Sequence, residues 1–432
     1  MLETFVYPRS GTEKKKFSFP TWHGQHGPIH TSQATCIDQL SPLFVSSALN
    51  AGLPRSYDFN DPNNGRYGVG YFDFNIFRGR RDSAAKVFMG SILKSRPFNF
   101  HIKLESLVHK VIIERTVDET GDEGTVRGKF EGENIAVGIL YEEKQSKCMK
   151  KAYLKRSCIN GMGDCIQPRE IIITAGTLLT PNILMNSGIG SHVLLKNSDV
   201  EVKIRNDNVG KNLQDHPAIG FIAAIKSTIA ASYPSAYNMA EQWAHYIMAV
   251  NSDTNDSRCD KWENCSVNYG ILGSAGISTG AFLRSPYTLD APDIQLTLFP
   301  TVSEPHVMKA LEKKNMTSKI TVGAANHMLI TIALLNPEAR HDVVLNTYDY
   351  FRNLPEIKLP PNRDQYLTDL DIRKLEWAVN RVRDITNAMP LSKVVLKEIS
   401  PGVGLVGLHT IVITTVCIHS FLTSSTTNQT LL

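Results

Sequence analysis

Strong charge of either sign is missing from this sequence. Its 46 Lys and Arg are nearly balanced by 42 Asp and Glu, leaving a formal net charge of +4 over 432 residues. Acids and bases are interspersed, and no basic stripe is interleaved with aromatics, which excludes an electrostatic footprint for nucleic acid. The one basic run, Lys14-Lys15-Lys16, reads as a solvated loop. Seven cysteines form no CxxC pair and no cysteine/histidine spacing of the kind that ligates a metal. Met1 to Arg9 does not read as a secretory leader, having neither a basic start nor a long apolar run, so either a cytosolic protein or a missing true start is expected. No internal repeat is visible.

What is present describes a globular chain, 42% hydrophobic and 20% charged. At this length one core does not suffice, and two or three domains are expected. Cys158/Cys165 and Cys259/Cys265 lie in polar segments and suit small disulfide loops, with free thiols an equal alternative. Acceptor sequons stand at Asn255, Asn264, Asn315 and Asn428. Two of them, Asn255 and Asn264, lie beside Cys259 and Cys265, which leans the chain towards the secretory pathway.

The first hundred residues are rich in Gly, Pro and polar side chains, and a helix is expected from about Ser83. From Asn99 the pattern turns to strand. Phe100 to Leu104 alternates, Leu107 to Ile113 is β-branched, Ile135 to Tyr141 repeats the pattern, and Tyr153 suits a third strand. This predicts an antiparallel meander. Glu170 to Thr174 is a continuous apolar run of the kind buried in a parallel sheet. Further strands are expected at Val200 to Arg205, Ile219 to Ile225, Ile277 to Leu283, Ile294 to Phe299, Met328 to Leu335 and Val343 to Leu345. Helices are expected at Ala240 to Val250 and from Thr368, with Leu375, Val379, Val382, Ile385 and Met389 on one face and Pro390 as the stop.

Between strand and helix lies a carefully built joint, Thr174-Ala-Gly-Thr-Leu-Leu-Thr-Pro-Asn-Ile-Leu-Met-Asn-Ser-Gly-Ile-Gly190. Ala175-Gly176 permit a tight exit, because glycine lets another group approach the backbone. Thr180 suits an N-cap and Pro181 the first helical position. Gly188 and Gly190 suit the stop. Ligands of open α/β sheets bind at such strand ends, yet a well-packed crossover explains the same residues.

The joint, taken with Val209-Gly-Lys-Asn-Leu-Gln-Asp-His-Pro217, resembles the glucose–methanol–choline (GMC) family of flavin oxidoreductases, in the flavour of its insect glucose-dehydrogenase-like branch. Weaker matches stand at Gly79-Arg-Arg, Ala136-Val-Gly138 and Pro292-Asp-Ile-Gln295, so the resemblance spans most of residues 20 to 390. It implies a fold of mixed α/β and α+β class. An incomplete Rossmann-like FAD-binding domain would be interleaved with a substrate domain of antiparallel sheet and helices. The segments expected are 1–217 for the remainder of the FAD-binding region, 218–400 for the substrate-binding region and 401–432 for a divergent apolar tail.

By resemblance, FAD is the cofactor and an alcohol or sugar CH–OH group the substrate, with an electron acceptor of unknown kind. Ala175 and Gly176 would lie beside FAD, and the backbone of Val108 would contact the adenine. On its own pattern Val108 is an ordinary core-strand residue. Asn212, Asp215 and His216 match the loop motif, and His216 is expected to be structural rather than the base.

Two departures qualify the implication. The family's opening GxGxxG is missing, and so is its late histidine pair, so no catalytic residue is assigned; His409 and His419 lie in no matching motif. The expectation is therefore a fragment of an FAD enzyme, inactive and aggregation-prone alone, from an extracellular or secretory protein. The alternative is a truncated, non-catalytic relative that binds or regulates. Gly402 to Leu422 is apolar enough to span a bilayer, at about 20 residues, which gives a membrane-anchored variant as a third reading, ranked last because its histidines, hydroxyls and a β-branched cluster that suits a core strand argue against a span.

Overall fold

The computed structural model describes residues 3–6, 23–24, 26–33, 37–63, 66–95, 97–115, 134–154, 157–158, 165–166, 170–226, 239–255, 270–288, 291–301, 327–346, 354–359 and 366–402. The elements that matter below, in chain order, begin with β1 (Ile29–Gln33), α1 (Leu40–Asn50), β2 (Gly68–Tyr71) and β3 (Asp73–Phe74). They continue with β4 (Ser106–Arg115), β5 (Asn134–Glu143), β6 (Met149–Tyr153), α2 (Gly176–Asn186), β7 (Ile189–Gly190) and β8 (Ile204–Arg205). Last come β9 (Ala218–Ile225), α3 (Met239–Asn255), β10 (Thr279–Leu283), β11 (Ile294–Phe299), β12 (His327–Leu334), β13 (Asp342–Val344), β14 (Glu356–Lys358), α4 (Asp369–Asn387) and β15 (Val395–Ser400).

Two compact units share the chain in an interleaved way. One comprises Met1–Pro97, His216–Pro337 and Asp369–Leu432; the other comprises Phe98–Asp215 and Glu338–Thr368. The expected boundary after residue 217 lies beside one crossing between them, while residues 1–97 fall with the later segments.

The first unit is built on a six-stranded sheet in the order β15-β9-β12-β11-β10-β2, with every neighbour antiparallel. Its strands follow the alternation read from the sequence. On β11, Ile294, Leu296 and Leu298 are fully buried; on β12, Met328, Ile330, Ile332 and Leu334 are fully buried. Period-2 burial of this kind fixes the register, since a one-residue slip would expose the whole row. Helix α4 lies against this sheet and buries Leu375, Val379, Val382 and Ile385. Met389 instead lies past the helix end and is exposed. Lys374 is buried on the same helix, 3.5 Å from Asp293 Oδ2, whose carboxylate also accepts from the Ser285 hydroxyl and backbone N–H.

The second unit holds the meander, a three-stranded sheet in the order β4-β5-β6, antiparallel throughout. Phe100 to Leu104, expected as strand, carries no ladder, and Leu104 is 78% exposed. The predicted strand at Val200 to Arg205 shrinks to the two residues of β8, which pairs in parallel with β7. A further two-residue ladder sets Cys158 opposite Cys165. The tail at 403–432 and the pair Cys259/Cys265 lie outside the described residues. No helix among the described residues is long and apolar enough to cross a membrane.

Candidate functional site

The joint at 170–190 differs from its sequence reading in two respects. Residues 170–175 run extended but pair with no strand among the described residues, and Ile172 is 79% exposed. Ile171 and Ile173 pack instead on the cluster of Val111, Ile113 and Ile183. One face of the run is thus half-buried against β4 while the other is bare, so it is not a buried parallel strand. The second correction concerns the helix start. Helix α2 begins at Gly176, with Ala175 as N-cap, so Thr180 and Pro181 lie inside it. The turn is made by Gly176, whose φ of +83° is left-handed and disfavours any side chain. That single position starts the helix a turn earlier than the Thr-Pro pair suggests.

The far end of α2 is tied to β4 by side chains that sequence pattern did not single out. Ser187 Oγ accepts from the buried Val111 N–H at 2.8 Å and donates to Ile183 O at 2.6 Å. Asn186 Nδ2 donates to His109 O at 3.4 Å. His109 is the extra residue where the β4 register shifts between Val108 and Lys110. It is buried, with Nε2 3.5 Å from Glu142 Oε2. Bulges of this kind re-aim a strand and are over-represented beside functional sites. The only signal for them in the sequence is a Ser and an Asn at a helix end, which is generic.

Val108, Ala175 and Gly176, the three residues singled out in the sequence, come together on this edge. Val108 and Ala175 pack on the same Val111–Ile113–Ile183 cluster, and Gly176 follows directly. Open space surrounds Gly176: a Cβ built there meets nothing within 4 Å. Ala175 provides no side-chain cap and the first turn holds no acid. The first N–H groups of an α-helix have no partner within the helix, and here a group approaching Gly176 would meet backbone donors rather than a side chain.

The loop at 208–217 answers what sits against the joint. It packs beside α2 around a groove of about 370 Å³ whose walls include Thr177, Thr180, Leu184, Lys211, Asn212 and Val343. Two left-handed residues shape it, Gly210 at φ +82° and Asn212 at φ +60°. At Gly210 a Cβ would collide with the Val343 carbonyl oxygen, so the glycine is required by close approach. Leu213 pairs with His341 through reciprocal backbone bonds of 2.8 and 3.0 Å. Lys211 bridges to Asp342. His341 stacks on Tyr366 with centroids 4.2 Å apart. Burial pushes the Tyr366 hydroxyl above its ordinary pKa, and Asp215 adds to the effect. His216 is exposed.

Residues 21–218 match a family model described as GMC oxidoreductase. The fold is the GMC oxidoreductase fold. Among curated relatives, the chain is 26% identical over 395 residues to the chloroplastic fatty acid photodecarboxylase of Chlamydomonas reinhardtii, covering 88% of this chain and 56% of that one. It is 26% identical over 383 residues to the mitochondrial choline dehydrogenase of Mus musculus, covering 88% and 52%. It is 25% identical over 391 residues to an alcohol dehydrogenase (acceptor) of Pseudomonas putida, covering 90% and 58%. The chain therefore spans a little over half the length of the curated relatives it matches. Among solved structures, a formate oxidase of Aspergillus oryzae superimposes with a TM-score of 0.63 at 18% identity, over 93% of this chain and 62% of that one. A pyridoxine 4-oxidase gives a TM-score of 0.58 at 20% identity, over 88% and 57%. The cofactor of this fold is FAD. The edge at Val108, Ala175 and Gly176 fits it: Ala175 gives the start of α2 no side-chain cap, and among the described residues nothing fills the space a Cβ at Gly176 would take.

Proposed function

We propose that this chain is the adenine-side and substrate-domain portion of an FAD-dependent oxidoreductase that oxidises CH–OH groups of alcohols or sugars, of glucose-dehydrogenase-like type. The observation that carries the reading is the convergence of Val108, Ala175 and the open, uncapped Gly176 on one edge, within the stretch that matches the family. When bound, FAD supplies the chemistry by accepting a hydride from the carbinol carbon. This chain's part is to hold and orient. The Val108 backbone would meet the adenine, and the first turn of α2 would present N–H groups to the cofactor. The six-stranded sheet of the first unit would supply the floor of the substrate domain. No described residue is given the role of proton acceptor. A secretory location fits the opposition of Cys158 and Cys165, whose ladder puts their Cα atoms about 4.5–5.5 Å apart, within the span of a disulfide.

The test uses the native protein, captured from its own tissue with an antibody raised against this chain. A flavin absorption spectrum that bleaches without oxygen on adding an alcohol or a sugar is the expected result. A flavin-free native protein would overturn the reading and leave a non-catalytic binding role in its place.

A further inference from the structure

A second cluster of chemistry-bearing side chains lies in the other unit, and the flavin reading does not use it. His23 Nε2 stands 2.8 Å from Asp58 Oδ2, and the side chains are 1% and 11% exposed. One donor atom from each of His23, Asp58 and Asp73 falls within 4.8 Å of the other two. The three come from separate places: the loop before β1, the turn before β2, and strand β3, which pairs with β1 at Gln33–Asp73. Asn60 braces both carboxylates, its backbone N–H donating to Asp58 Oδ1 at 2.8 Å and its Nδ2 to Asp73 Oδ2 at 3.3 Å.

We propose that His23, Asp58 and Asp73 form a binding site for one divalent first-row cation, with Mn2+ and Zn2+ as its natural occupants. A metal bonded to N and O at about 2.1 Å holds neighbouring ligand atoms about 3–4 Å apart, and here the three donor atoms already lie within 4.8 Å of one another. The imidazole sets the metal class, because Mg2+ and Ca2+ prefer all-oxygen shells whereas imidazole suits Zn2+ and its neighbours. On binding, His23 presents the Nε2 lone pair to the metal and carries its hydrogen on Nδ1. Asn60 acts as the outer brace that holds ligating carboxylates in place. The ion would staple the loop before β1 to β3. The ligands lie 35 and 15 residues apart, so no short spacing motif announces them.

The test titrates the chelator-stripped native protein with Mn2+ alone, followed by electron paramagnetic resonance, with Zn2+ as competitor. Mn2+ is the probe because it discriminates against the cysteines. One saturable Mn2+ per chain is expected, displaced by Zn2+, with nitrogen coupling from an imidazole. Asp73→Asn should weaken binding at least about tenfold, while Asp61→Asn leaves it unchanged. His23→Gln should abolish the nitrogen coupling; if that variant does not fold, Asp73→Asn carries the test. Absence of saturable binding, or equal binding by Asp73→Asn and the parent chain, would overturn the proposal. The outcome is independent of whether flavin binds.

Discussion

The six-stranded sheet and the 170–176 joint are both apolar runs in the sequence, yet they end in opposite surroundings. On β11 and β12 every second residue is sealed from water. In the joint, Ile172 stands 79% exposed beside an extended backbone with no ladder among the described residues. The difference teaches that apolar content alone does not distinguish a core strand from an edge kept open. What distinguishes them here is the glycine that follows. Gly176 turns the chain into α2 through a left-handed backbone, with open space among the described residues where a side chain would stand.

This contrast is breakable by mutation, and the largest effect is expected in the sealed sheet. Leu296→Ala should cost about 2–5 kcal/mol, the range for emptying a well-packed core site. Ile172→Ala should change stability by no more than about 0.5 kcal/mol, read by urea denaturation of both variants. Equal losses would erase the distinction between the two regions.

The two left-handed glycines sharpen it. Gly210→Ala forces a Cβ into the Val343 carbonyl oxygen and should cost several kcal/mol or block folding. Gly176→Ala meets open space and should lose only the left-handed penalty, about 1–2 kcal/mol. A thermal melt of each variant separates them.

Ser187→Ala is expected to cost about as much as Gly176→Ala. It removes the acceptor for the buried Val111 N–H, and leaving such a donor unmet costs about 1–3 kcal/mol. Amide exchange at Val111 should accelerate in the same variant.

Acid sensitivity gives a milder test in the first unit. Burial pushes the Asp82 carboxyl up, but the His30 backbone and ring, together with Lys86, outweigh it and hold the pKa below the ordinary aspartate range. The folded value lies below the unfolded one, so this stabilisation is present above the ordinary value and is lost as pH falls through the folded one. Asp82→Asn should flatten that part of the stability profile. The least effect belongs to Glu143 on the surface of β5. Lys103 and then Lys150 hold its carboxyl down to about 2. Replacing both lysines with Ala should return its pKa towards 4 with almost no change in melting temperature, as expected of an exposed pair.

The sheet was legible in the sequence because period-2 burial writes itself into β9, β11 and β12 within a residue or two of their bounds. Helix α4 was legible for the same reason at period 3.6. The joint was less so. Thr180-Pro181 reads locally as a helix start, while the positive φ at Gly176, a backbone property, set the real one. Ser187, Asn186 and His109 were not legible at all, since their roles depend on meeting a partner about 76 residues away. The cluster of His23, Asp58 and Asp73 was hidden for the same reason.

The proposal that FAD sits on the open edge at Val108, Ala175 and Gly176 is tested by hydrogen exchange of the flavin-bearing native protein, before and after FAD is stripped from it. Amides at 107–111 and in the first turn of α2 should exchange faster once FAD is gone, while β11 and β12 are unchanged. Protection by FAD that leaves both of those stretches untouched would contradict it.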